Sequence, residues 1–583
     1  MLVPQTPGSK QALGLATVDS RAPSHTTETN RPTRYYLLLL GAILLAYAAT
    51  FLIVRPWAQI PFDDDWVYAR DCLRSAQANW PVLTGYESAW SIPQLLYGTA
   101  LVKLAGFSYL ALRATSLAAM AGSLMIFDLY LRSIGTRLFV RLIAVFSLAF
   151  HPFAYPQAIS FMTDIPFLFA WTASCYSWDR ALDLQSTRWL ISATSMTMVA
   201  VAQRQFGLFV PMSAFLFVSV EIRCSPRQAM SLLRKPAHSF HARFILCQII
   251  LAAFACAIFS IWRLVVHGYS PVMFAPRPLR ISLGLTFVTA SSLALSAIPL
   301  LLATRPTTHR MGRAARMAWT GCAVVFAALA VRFLATGIAP LFHNVISTFG
   351  FFPEDVVLPG RRPTVIGPTL GRMVSVAGTL AILYAMRRVI PLFFPATQSP
   401  DHGIDHDQNR PRGSHSPIGF GRVLILSSVL YLCFVVYRGV PMFDRYLLPA
   451  LPAFFLAIAK ASPLVDSAAR RSAAVVVVVF FAGISTTLTY DYDRWHETAW
   501  HAAQSLVQKG VPADAINAGY EWNGWVVGKA PFPSEDPHHY AYVISHSELP
   551  EYECLEAIPW TSIWGPHRRD IFILRRKQLC PSP

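Results

Sequence analysis

Three adjacent carboxylates, Asp63, Asp64 and Asp65, stand in the stretch PFDDDWVYAR at residues 61–70. Like charges side by side repel, so at least one carboxyl of such a set titrates above its ordinary range and becomes a better proton acceptor. The plainer account is capping. Pro61 suits a first helical turn and a helix N-terminus stabilises negative charge, but one Asp suffices for that, and Asp63 fits it. A helix starting here sets Asp64, Tyr68 and Asp71 on one face. Asp164, in FMTDIPFLF, is a second carboxylate at a helix start, where Thr163 suits the N-cap and Pro166 the first turn. Two guanidiniums complete the set. Arg445 opens RYLLPALP at residues 445–452, and Arg204 lies between two short apolar runs. An Arg in such a place either snorkels to the headgroups or binds a phosphate through its planar fork of donors.

The elements that must position these residues are membrane helices. Of the 583 residues 54% are hydrophobic and 14% charged, against about 25% charged in ordinary soluble proteins. The formal charge of +18 does not indicate nucleic acid. The basic residues cluster between apolar runs, as in Arg223, Arg227, Arg234, Lys235 and Arg243, or Arg305, Arg310, Arg313 and Arg316. That is the positive-inside pattern of cytoplasmic loops, which face an anionic lipid surface. The nine cysteines form no CxxC or zinc-like spacing. Most sit in apolar segments, whereas Cys554 and Cys580 lie in a polar C-terminal segment and are able to pair if it lies outside the cell.

With the N-terminus inside, the apolar runs predict about thirteen transmembrane helices, near 35–54, 107–131, 138–155, 164–181, 188–203, 206–222, 244–266, 281–302, 317–338, 370–386, 423–437, 446–462 and 472–489. Every strongly basic loop then lies inside. Residues 1–33 form a disordered cytoplasmic tail and 34–490 the membrane domain, whose first run is an uncleaved signal anchor. The first outside loop, 55–106, carries the acidic triplet and an interfacial helix in WSIPQLLYGTALVKLAG. A second outside loop spans 339–369 and a flexible inside linker 387–422, whose irregularly spaced histidines make a poor metal site. Residues 491–583 form a small α/β outside domain, with a helix in RWHETAWHAAQSLVQKG and strands in AINAGY, YAYVISH and IFILRR. Asp63, Asp64, Asp65, Asp164, Arg204, His267, Arg438, Asp444 and Arg445 all fall on the outer face. Ionisable groups at such boundaries are functional candidates by default.

This order of motifs resembles the GT-C class of membrane glycosyltransferases, and within it the protein O-mannosyltransferase and aminoarabinose (lipid A) transferase group. An acidic motif of the first outside loop followed by Tyr corresponds to DDWVY at 64–68. A second Asp after the third helix corresponds to Asp164 in TDIP, and a late RYLLPxLP to residues 445–452. The stretch LVKLAGFSYLALRATSLAAM is similar as well. The resemblance covers most of residues 1–200 and the segment near 445. Asp65 stands where Glu is common and Asp63 adds a third acid, so the base is Asp64 or Asp65.

The resemblance implies an all-α polytopic bundle of GT-C type in the cell inner membrane, with active site and C-terminal domain periplasmic. It implies an inverting glycosyltransferase that moves a sugar from a polyprenyl-phosphate donor to a hydroxyl of a lipid, glycan or protein acceptor. Asp64 or Asp65 would take the proton, and Tyr68 would position the acceptor. Asp164 would help position it or hold a divalent cation. Arg445, Tyr446 and Arg204 would bind the donor phosphate. The lack of a glycine-rich nucleotide loop fits a lipid-linked donor. The rival readings are a transporter or flippase of lipid-linked sugars, and a polysaccharide polymerase or ligase that leans on outside Arg and His. No internal repeat of the transporter kind is visible.

Overall fold

The computed structural model describes residues 30–83, 85–87, 89–222, 240–265, 283–305, 311–352, 358–394, 420–437, 443–461, 464–465, 467–528, 540–565 and 568–577. Most of the expected N-terminal tail, most of the 387–422 linker with its histidines, His267, Arg438 and Cys580 lie outside the described residues.

Apolar runs become helices in the order read from sequence, with four differences. The N-terminal helix α1 (Asn30–Val54) leads into α2 (Asp65–Ala78) and α3 (Ile92–Ala105), which lie in the first loop. There follow α4 (Tyr109–Ser133), α5 (Leu138–Ala149), the single turn α6 (Tyr155–Ala158), α7 (Asp164–Leu184), α8 (Thr187–Gln203), α9 (Phe209–Ile222) and α10 (Phe240–Val265). The run expected at 281–302 is divided into α11 (Leu283–Ser296) and α12 (Ile298–Ala303). Pro299, near the start of α12, has no N–H to continue the ladder. Then come α13 (Arg313–Thr336) and α14 (Pro368–Phe393), which carries Arg387 and Arg388 within its last turns, so the expected linker does not begin at 387. After α15 (Arg422–Tyr437), the run expected at 446–462 opens as a tight 3-10 turn, Asp444–Ala450, and only then becomes α16 (Leu451–Lys460). Pro449 and Pro452 withhold two N–H groups there. The last helix, α17 (Ala468–Gln508), is continuous for 41 residues and crosses residue 490, where the sequence suggests a domain boundary. At 1.5 Å per residue it is about 60 Å long, twice the roughly 30 Å of a hydrocarbon core.

Six described helices are long and apolar enough to cross a membrane: Arg34–Val54, Tyr109–Ser133, Phe240–Arg263, Arg313–Thr336, Pro368–Leu392 and Ala468–Gln508. Shorter apolar helices occupy Leu138–Ala149, Gln205–Val220, Leu283–Ser296 and Arg422–Val436. The main core joins α1, α4, α5, α7, α15 and α16, with Trp171, Trp178 and Phe127 among its largest fully buried side chains.

The C-terminal residues form a four-stranded sheet in the order β3-β4-β6-β5, with β3 (Ile516–Asn517), β4 (Tyr542–Ser545), β5 (Tyr552–Thr561) and β6 (Arg568–Arg576). The β3–β4 pair is parallel and the others are antiparallel. The edge strand β5 was not apparent from sequence. It is largely exposed and contains Pro559, both properties of edges. The loop after α13 holds a small hairpin of β1 (Ile346–Ser347) and β2 (Gly350–Phe351). Sheet, hairpin and membrane bundle are not separate bodies. Trp495 and Trp500 of α17, Ile544, Ile571 and Ile573 of the sheet, Phe351 and Phe352 of the hairpin, and Phe62 beside the acidic triplet form one buried cluster.

Candidate active site

The chain enters the acidic triplet in a constrained turn. Asp63 has φ +53, a left-handed conformation that Asp tolerates better than most residues. Asp64, rather than the expected Asp63, holds the N-cap position of α2, without a side-chain capping bond. The carboxylate that turns back on the chain is Asp65. Its Oδ1 accepts the Phe62 N–H at 2.7 Å. Its Oδ2 accepts Nε and Nη2 of Arg113 at 3.0 and 2.9 Å. Arg113 in turn donates to the carbonyls of Ala58 and Ile60. Asp65 is fully buried, and its two oxygens tie the loop to α4.

Asp64 has the opposite surroundings. Its side chain is 24% exposed, against 13% for Asp63 and none for Asp65, so it alone presents a carboxylate substantially to solvent. Arg445 Nη2 donates to Asp64 Oδ2 at 2.9 Å, and Nη1 stands 3.4 Å from Asp63 Oδ2. The phenol of Tyr520 donates to Asp64 Oδ1 at 2.6 Å. Tyr520 and Arg445 are the two residues that orient this carboxylate, and one of them comes from the C-terminal segment.

A second ion pair adjoins the first. Arg204, directly after α8, donates through Nη2 to Asp164 Oδ2 at 2.9 Å and through Nε to Thr163 Oγ1 at 2.9 Å. Thr163 therefore receives Arg204 rather than capping α7. The Arg204 guanidinium lies 5.7 Å from the centre of the Tyr446 ring. Burial works against the charge of Arg445, yet Asp64, Asp164 and Asp63, in that order, hold its proton well above the ordinary value. Asp64, Asp164, Arg204, Arg445 and Tyr446, drawn from four distant parts of the sequence, thus share one electrostatic site. Arg445 Nε is buried there with no hydrogen-bond partner.

Burial, the charge on Asp64 and the proximity of Glu521 push the carboxyl of Asp63 well above the usual range, with Arg445 opposing them. Glu521 is almost fully buried, accepts a hydrogen bond from Tyr492 and is pushed up to about 8, chiefly by desolvation. Burial and then Asp64 keep the phenol of Tyr520 protonated, as a donor. Asp444 is unlike its neighbour Arg445. Its oxygens accept the N–H groups of Val345 and Ile346 at 2.7 and 2.9 Å, so it fastens the hairpin loop. Tyr68 is 5% exposed and packs in the apolar cluster of α2, α3 and α4 with Phe161 and Met162.

Arg113, Tyr520 and Glu521 were missed by sequence reasoning. A charged side chain within an apolar helix was a usable signal for Arg113. Nothing in AGYEWNG marks Tyr520. Among the described residues no group of three or more His, Cys, Asp or Glu is placed to hold a metal ion, and the charge of Asp164 is met by Arg204. Those residues do not fit a divalent cation. Cys554 is exposed on β5 as a free thiol.

No family model and no curated protein matches the chain. Solved structures do resemble it. Two are of ArnT from Cupriavidus metallidurans. The apo state has a TM-score of 0.40 and 12% identity over 92% of this chain and 98% of that one. The state bound to undecaprenyl phosphate has 0.39 and 11% over 91% and 98%. The S. cerevisiae protein O-mannosyltransferase Pmt1-Pmt2 complex bound to the sugar donor has a TM-score of 0.30 and 14% identity, over 41% of this chain and 35% of that chain. Likeness at this level says nothing of this chain's activity, which rests on the site itself.

Proposed function

We propose that the chain is a multi-pass membrane glycosyltransferase of inverting type, using a sugar on a polyprenyl phosphate. The observation that carries this reading is the solvent-facing Asp64, held between Arg445 and Tyr520 and adjoined by the Arg204–Asp164 pair. A carboxylate oriented on both oxygens suits a general base. Two buried guanidiniums beside it suit a leaving phosphate.

In the reaction, the acceptor hydroxyl oxygen attacks the anomeric carbon from the face opposite the phosphate. Its proton passes to Asp64 as the new glycosidic bond forms. The bond between the anomeric carbon and the phosphate oxygen breaks, and the electron pair leaves with the lipid phosphate. Arg445 meets the developing charge, its unpartnered Nε among the donors, and Arg204 assists from the Asp164 pair. Tyr446 lies beneath Arg204 and packs the phosphate end of the site. Tyr68, one turn after Asp64 and packed in the apolar cluster of α2, would position the acceptor. The acceptor is a lipid, glycan or protein hydroxyl. The thirteen-span arrangement, with site and C-terminal sheet on the outer face of an inner membrane, belongs to the same proposal.

The test is transfer from a labelled polyprenyl-phosphate sugar in membranes carrying Asp64→Asn. Transfer is expected to fall by at least about 100-fold, with protein level and melting temperature near those of the parent. Undiminished transfer would sink the assignment.

A further inference from the structure

A second charged cavity lies away from Asp64, where the loop after the hairpin meets the C-terminal sheet. It measures about 200 Å³ and is lined by Arg361, Arg362, His546, Trp560, Arg568, Arg569 and Asp570, among others. Four guanidiniums face one carboxylate in that lining. Drug-sized ligands fill roughly 300–1,000 Å³, so this cavity takes a chemical group rather than a whole molecule.

The cavity's walls are fastened to each other. The Pro359 carbonyl accepts the His546 N–H at 2.8 Å and the Ser545 hydroxyl at 3.0 Å, and the Arg361 N–H donates to Ser547 Oγ at 3.1 Å. Gly360, at φ +89, allows this approach, since a Cβ there would stand 2.3 Å from Ser545 Oγ. Arg362 braces the loop by donating to the carbonyls of Phe349, Phe351 and Phe352.

The lining groups are not all satisfied within the chain. Arg569 Nε, Trp560 Nε1 and His546 Nε2 are buried without hydrogen-bond partners, and buried polar groups of native proteins are seldom left so. Arg569 lies over the Trp560 ring, 5.4 Å from its centre, and its Nη2 donates to the Trp564 carbonyl. Arg361 and Arg568 are exposed at the rim, and among the described residues no carboxylate pairs with either. A built pocket with two rim arginines that no carboxylate pairs among the described residues, and with the orphaned donors Arg569 Nε and Trp560 Nε1 in its wall, is suited to an oxyanion.

We propose that this cavity is an anion site, distinct from the Asp64–Arg445 site, that takes the phosphate group of a phosphorylated glycan or lipid headgroup. The proposal goes beyond the transferase reading and does not depend on it. Transfer can fail while binding here persists.

The experiment is calorimetric titration of inorganic phosphate into the full chain in phosphatidylcholine nanodiscs, with chloride at matched ionic strength as control. Saturable binding is expected, with one equivalent held by this cavity. Arg361→Gln combined with Arg568→Gln, both at exposed positions, should weaken it by about tenfold or more. Arg445→Gln should remove only phosphate bound at the Asp64–Arg445 site and leave the binding component that the double variant loses. Nanodiscs containing phosphatidylglycerol separate the sources: apparent affinity that falls there assigns the site to bilayer headgroups, and unchanged affinity assigns it to a phosphate presented from solution. Non-saturable heat, heat matched by chloride, full binding in the double variant, or loss of that component in Arg445→Gln instead would each overturn the proposal.

Discussion

Tyr520 donates a 2.6 Å hydrogen bond to Asp64 across 456 positions of the chain. With Arg445 on the other oxygen, the carboxylate has no free rotation, and a base must be held within a fraction of an ångström to act. Tyr520→Phe keeps the ring beside Trp66 and removes only the hydroxyl. We expect transfer to fall about tenfold to 100-fold with melting temperature little changed. A purely packing role for Tyr520 predicts parental kcat, so the kinetics of purified Tyr520→Phe decide between them.

Asp64 and Asp65 should respond differently to the same substitution. Asp65 is buried against Arg113, and removing one partner of a buried pair costs about 3–5 kcal/mol, because the other charge is left uncompensated. Asp65→Asn should therefore lower the melting temperature and the amount of folded protein, whereas Asp64→Asn should lower transfer alone. Thermal melts of both variants beside the parent check this. Equal stabilities would mean that Asp65 does not anchor the loop.

Much of the fold is legible in apolar run length, and much of the site in local motifs. Asp64, Asp164 and Arg445 each stand at a recognisable helix boundary. What the sequence conceals is pairing. Arg113 reads as a lone charge in an apolar helix until the fold brings it to Asp65, 48 positions earlier. Tyr520 and Glu521 lie in a short aromatic stretch whose place is set by Trp495, Trp500 and Trp522 packing with Phe62. The continuity of α17 was hidden by a change of surroundings, from lipid-suited residues to an amphipathic pattern, with no change of backbone preference.

Arg445 reaches two carboxylates with two nitrogens, Asp64 at 2.9 Å and Asp63 at 3.4 Å. A lysine keeps the charge but offers one compact head in place of a fork. Arg445→Lys should retain folded protein yet lose about tenfold or more in kcat/KM, with the loss chiefly in kcat if Arg445 acts on the leaving phosphate. Steady-state kinetics against donor concentration separate the two parameters. A change confined to KM would make Arg445 a ground-state binder only.

Glu521 gives the chain a pH-dependent stability with a definite sign. Desolvation raises its folded value to about 8 from an ordinary 4.5, and the charges on Asp65 and Asp64 add to that against the hydrogen bond from Tyr492. Its neighbour His496 lies 3.8 Å from the other carboxylate oxygen. Between these two values the folded chain keeps a proton that the unfolded chain gives up. The contribution is complete below about pH 4.5 and is lost as pH rises through about 8. The parent's melting temperature should therefore fall between pH 5 and pH 8 by more than that of Glu521→Gln, which carries no titrating carboxyl and still offers Tyr492 an acceptor. Differential scanning fluorimetry across that range measures both slopes. Parallel slopes would show that Glu521 is ionised in the folded chain and that the buried cluster around Tyr492 accommodates its charge.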